Sequence, residues 1–204
     1  MAGKGSLTIE LQGVTPVRWR SFLNAELLGP VRVAAAVDLH NCVTVGTPSG
    51  AGVLVVLPEQ EHGDVCHDFC FLVEPSEPPY LRIVKSAKRS DLSNEWTSLH
   101  SESLPHCLGQ QEVLVEVTVL HNMVTVSTNS VASAWALNAP TSGGPRGLRA
   151  FGLCGIGPKR ISWNSFQVYV SQDQPILNNT SAISEEVSAH DLNWDMVSPR
   201  YLKL

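Results

Sequence analysis

From Arg146 to Val170 the chain reads RGLRAFGLCGIGPKRISWNSFQVYV. Phe166, Val168 and Val170 recur at every second position, a period that places side chains on one face of a pleated strand and scatters them around a helix. Gly152, Gly155, Gly157 and Pro158 read as a turn between this closing strand and the strand before it. Upstream, Val113, Val115, Val117 and Val119 give the cleanest alternation in the chain. They predict a hairpin with Met123–Thr128 through Leu120, His121, Asn122 and Met123, where Asn tolerates a positive φ. Such strands cannot bury their apolar faces alone. They require a second sheet.

The rest of the chain supplies it. Leu7, Ile9 and Leu11 alternate, an apolar segment follows at 17–23, and Val31, Val33, Ala35 and Val37 share a phase. Residues 50–57 form a short continuous apolar run between Gly46, Pro48 and Pro58, the pattern of a strand buried on both faces. His67, Phe69, Phe71 and Val73 line one face of the next strand, which Pro75, Pro78 and Pro79 stop before another begins at Tyr80. Residues 86–109 are polar and irregular, with a short strand near 96–99. Segments at this spacing, divided by Gly and Pro, predict an all-β, two-sheet antiparallel sandwich with little helix. The sandwich should occupy 1–174. Residues 175–204 lose the alternation and read as a polar link with a short helix near 183–189, then a tail carrying Trp194, Met196, Val197, Tyr201, Leu202 and Leu204.

Composition narrows the function. A net charge of −5 over 204 residues is the wrong sign for a nucleic-acid platform. The one basic run, Arg82 to Arg89, reads as a solvated strand edge. No stretch approaches the 18 apolar residues of a membrane helix, and 1–17 lacks the apolar core of an export signal. An intracellular protein is therefore expected, with its five cysteines unpaired. His62, Cys66, His67 and Cys70 carry metal-binding residue types but form only one close pair, and thiols four residues apart on a strand lie about 13 Å apart. No metal or cofactor is expected. The GLCGIG run lacks the Lys and the following helix of a phosphate loop.

The order of elements at 31–38, 51–57, 66–85, 112–128 and 147–170 resembles the laminin-G-like and concanavalin-like jelly rolls. That resemblance implies a module that binds and does not transform. Catalytic relatives carry Glu-x-Asp-x-x-Glu on one strand, which this sequence lacks. Galectins bind sugar through His-x-Asn-Pro-Arg; His40-Asn41 lacks the Pro-Arg. Calcium sites of the group need clustered Asp and Asn, for which Asp38, Asn41, Asp64 and Asp68 qualify by composition alone. Contact residues are sought instead among the aromatics: Trp96 and Trp135 in loop-like contexts, Trp163 on the face opposite Phe166 and Val168, and Trp194 and Tyr201 in the tail. The expected function is a non-catalytic interaction module with a protein partner. The alternative is a glycan bound on a concave sheet face, and a glycosidase-like enzyme ranks third.

Overall fold

The computed structural model describes residues 7–10, 18–27, 30–40, 42–44, 50–58, 66–86, 96–120, 123–138, 148–156, 158–171 and 194–196. In chain order the first strands are β1 (Leu7–Glu10), β2 (Arg18–Leu27), β3 (Val31–Asp38), β4 (Val43–Thr44) and β5 (Gly50–Pro58). Next come β6 (Cys66–Glu74), β7 (Tyr80–Ser86), β8 (Trp96–Ser103), a 3₁₀ turn (Pro105–Cys107) and β9 (Glu112–Val119). The chain continues through β10 (Met123–Thr128), β11 (Val131–Asn138), β12 (Leu148–Ile156), β13 (Pro158–Ser171) and β14 (Trp194–Met196).

They form a two-sheet antiparallel jelly-roll sandwich. The first sheet runs β1-β13-β3-β9-β10-β11, with β4 and β14 also on β13. The second runs β2-β12-β5-β6-β7-β8. Between them lies one core. Val33, Val117, Val126 and Val168 come from the first sheet, and Val53, Val55, Phe71, Ile83 and Leu153 from the second. Val115, Val117 and Val168 have no exposed surface. Phe166 is half-buried and stacks on Phe151 of the facing sheet, ring centroids 6.3 Å apart, so the expected register of the two long strands holds. Leu120 and Met123 exchange both backbone hydrogen bonds at the foot of the expected hairpin.

Four readings need correction. Trp135, expected in a loop-like context, lies in β11, because a two-residue turn at Asn129 (φ 48°) and Ser130 (φ 67°) returns the chain onto β10. That is the positive-φ pair a tight hairpin needs. Gly152 and Gly155 are not a turn; both sit inside β12, paired with β2 on one side and β5 on the other. Glycine in a central strand marks close packing. Trp163 does not face away from Phe166. A bulge between Trp163 and Ser165 inserts one residue against β3, which flips the phase and sends the indole into the core at 1% exposure. Trp96 opens β8, which bears out the short strand expected near 96–99 and extends it to Ser103, so the indole sits on a strand and its loop-like context is corrected.

In the tail, β14 pairs antiparallel with β13, Met196 opposite Tyr169 and Trp194 opposite Ser171. The expected helix at 183–189 lies outside the described residues.

Candidate functional site

Alternation gives the second sheet an outer face, and that face is divided in two. Its middle carries Leu54, Val56, Cys70, Leu72, Val84, Ala150 and Cys154, a second apolar cluster at no more than 1% exposure, with Trp96 half-buried against it. Sandwich strands ordinarily present polar residues outward. Here the outward residues of β5, β6 and β12 are as apolar as the inward ones, so the centre of the face is enclosed.

The β7–β8 side of the same face is different. Strand register sets Glu74 opposite Tyr80 and Leu72 opposite Arg82. It also sets Tyr80 opposite Ser103, Arg82 opposite Ser101 and Val84 opposite Ser98. Arg82 Nε donates to Glu74 Oε2 in a part-buried ion pair, with 25% of the Arg82 side chain and 12% of the Glu74 side chain exposed. Ser98 and Ser101 are exposed, and Tyr80 is 37% exposed. Sequence reading had Arg82 in a solvated basic run; in the folded chain it is anchored by an acid eight residues upstream, across the proline-rich turn. The pair holds the Arg82 guanidinium in a fixed orientation. Ser98, Ser101 and Ser103 lie on the neighbouring strand, and Tyr80 and Trp96 bound the strip at its two ends.

The two acids that β6 places on this face do not stand as a glycosidase pair. Asp68 and Glu74 share the outer face of β6, but six residues of strand separate them by about 20 Å, whereas paired glycosidase carboxylates stand about 5–10 Å apart. Asp68 is only 1% exposed. Asp38 lies on β3 in the other sheet, while Asn41 and Asp64 fall outside the described residues. Among the described residues no three His, Cys, Asp or Glu side chains converge as metal ligands would. Among the described residues Cys42, Cys70, Cys107 and Cys154 are buried and form no disulfide. Burial pushes the Cys42 thiol up to about 11, with Asp38 adding to the rise and a backbone hydrogen bond at Ser162 opposing it.

The expected contact aromatics are not brought together. Trp96 borders the strip. Trp135 points the other way, half-buried, its ring edge-on to Phe71 with centroids 5.6 Å apart. Trp163 is a core residue and offers no surface. Trp194 lies in β14 on the far edge of the first sheet, and Tyr201 is outside the described residues. Sequence reasoning missed Glu74, Tyr80 and Arg82. Their shared face follows from register across a turn of five residues, which spacing alone does not reveal.

A second polar group closes the gap between the free edges of the sheets, β8 and β11. His100 Nε2 lies 3.0 Å from Glu102 Oε2, and Ser133 Oγ donates to the same oxygen. The Trp135 backbone N–H donates to Ser133 Oγ at 3.1 Å. Burial pushes the Glu102 carboxyl up, but hydrogen bonds from Ser133, His100 and the Ala134 backbone, with the charge of His100, outweigh it and hold the carboxyl below its usual value.

No family model matches the chain, and no curated protein matches it. Among solved structures it is similar to a functionally unknown protein from Saccharomyces cerevisiae, at 12% identity and TM-score 0.43, covering 74% of this chain and 75% of that one. It is also similar to sheep galectin-11, at 10% identity and TM-score 0.40, covering 73% and 96%. A carbohydrate-binding module, CBM66 from Bacillus subtilis, aligns at 9% identity and TM-score 0.44, covering 81% and 95%. These are likenesses of fold.

Proposed function

We propose that the protein is a non-catalytic binding module whose outer-face strip on β7 and β8 takes a neutral glycan. The observation that carries this reading is the Arg82–Glu74 pair set among Ser98, Ser101 and Ser103, with Tyr80 and Trp96 on the same face. A sugar ring presents hydroxyls that both donate and accept, over an apolar C–H face. The strip matches both needs: an oriented guanidinium, rotatable hydroxyls that donate and accept, and aromatic surface for stacking. The mutual neutralisation of Arg82 and Glu74 favours an uncharged ligand over an acidic one. The separation of Asp68 from Glu74 favours binding over hydrolysis.

The protein-docking alternative has less to stand on. The exposed large apolar side chains among the described residues are Tyr80, Leu99, Leu108 and Val131. They are spread over three strands and the segment after the 3₁₀ turn, where a docking site calls for a contiguous patch.

Calorimetric titration with neutral oligosaccharides selected on a glycan array tests the reading. Arg82→Ala should weaken binding at least tenfold, the cost of about one charge-assisted hydrogen bond. Tyr80→Ala should weaken it with the melting temperature preserved. Array binding that is indifferent to both substitutions would refute the strip, and a blank array would refute the glycan.

A further inference from the structure

We propose that Glu102 is an acid-released clasp between the free edges of the two sheets: protonating its carboxyl lets β11 part from β8 at the open side of the sandwich. The strand it holds is irregular at the point of contact. Thr125 pairs with Ala136 and Ser127 with Ala132, so Ser133, Ala134 and Trp135 bulge out opposite the single residue Val126. Donors freed from the ladder need acceptors, and they find them across the gap. Ser133 Oγ and the Ala134 backbone N–H turn to the Glu102 carboxylate, and the Trp135 N–H goes to Ser133 Oγ. From its own strand Glu102 meets His100 Nε2. In its ionised form the carboxylate accepts from the Ser133 hydroxyl, the Ala134 backbone N–H and His100 Nε2. Protonation removes the charge that strengthens these bonds and turns one carboxyl oxygen into a donor, so the clasp is weakened in the acid form.

The charged surroundings are simple. Among the described residues His100 is the titratable group facing Glu102. β11 carries no Asp, Glu, Lys, Arg or His along Val131–Asn138, β7 places Leu81 opposite Glu102, and β6 contributes Phe71 beneath Trp135. The Glu102 carboxyl is held below its usual 4.5. A folded-state value below the unfolded one gives stabilisation that is complete above the unfolded value and lost as pH falls through the folded one. The clasp is thus shut at neutral pH and released in acid. Release exposes an uncharged edge strand and the half-buried face of Trp135. The inference does not depend on what the outer face binds.

Hydrogen exchange read by mass spectrometry on the full chain, from neutral to about pH 3 and corrected for intrinsic rates, tests it. The expected result is that residues 131–138 lose protection about tenfold or more in acid, while 113–119 keep theirs. Glu102→Gln should leave 131–138 unprotected at neutral pH, with the acid step gone. Ser133→Ala removes one donor to the carboxylate, so it should move the step to higher pH, and it serves as the test if Glu102→Gln fails to fold. The proposal is overturned if 131–138 and 113–119 open together, if Glu102→Gln keeps the acid step, or if Ser133→Ala leaves its position unchanged.

Discussion

Gly52 shows how little room the second sheet leaves at a single residue. A Cβ built there would sit 1.9 Å from the Phe71 carbonyl oxygen and 3.2 Å from Leu72 Cα. The obstruction is backbone of the neighbouring strand, which cannot move without breaking the β5–β6 ladder. Gly52→Ala should therefore cost about 3 kcal/mol by overpacking, a loss of roughly 6–12 °C in melting temperature for a domain of this size, measurable by calorimetry. An unchanged melting temperature would mean that β5 and β6 do not meet in the described register. Trp163 makes the complementary point: one inserted residue at the bulge converts an outward indole into a core side chain.

At the scale of elements, the β10–β11 hairpin depends on Asn129. Its backbone N–H donates to the Leu114 carbonyl at 2.9 Å, its Oδ1 accepts from the Leu114 N–H at 2.8 Å, and its Nδ2 reaches Cys107 Sγ at 3.5 Å. Alongside, His106 Nε2 meets the Thr128 carbonyl at 3.0 Å. One side chain thereby ties β9, the hairpin turn and the 3₁₀ turn, from a left-handed backbone that few residues tolerate. Asn129→Ala loses the side-chain bonds and adds strain, and should destabilise the protein by about 2–3 kcal/mol. Asn129→Gly keeps the backbone geometry and should lose about 1 kcal/mol less. Chemical denaturation of the two variants side by side checks the order, and equal losses would assign the whole effect to the side-chain bonds.

For the whole molecule, two apolar layers on the second sheet divide the work. The inner cluster joins the sheets; the outer one forms the buried middle of the opposite face, beside the polar β7–β8 strip. Because the sheets share one core, a charge in its middle undermines both. Val117 has no exposed surface and lies on β9 between Val33 of β3 and Val126 of β10. Val117→Asp should cost at least about 4 kcal/mol, combining lost burial with an unpaired buried carboxylate, and should leave the chain insoluble on expression. A soluble, cooperatively folding variant would contradict the position of β9 in the core.

What the sequence determined alone was the class of fold and the phase of its long strands. Val113–Val119, Phe166 and Val168 announce their buried face because side-chain direction in a regular strand has a period of two, a local property. It did not determine where that period breaks. The bulge beside Trp163 and the glycines inside β12 depend on which neighbour each strand meets, and those neighbours are distant in sequence; the strand through Trp135 depends on the positive-φ turn at Asn129 and Ser130 that returns it onto β10. The Arg82–Glu74 pair rests on register across the β6–β7 turn, whereas the Glu102 clasp needs the whole fold: β8 and β11 face each other only because two sheets close over one core, and no local pattern in either strand records its partner across that gap.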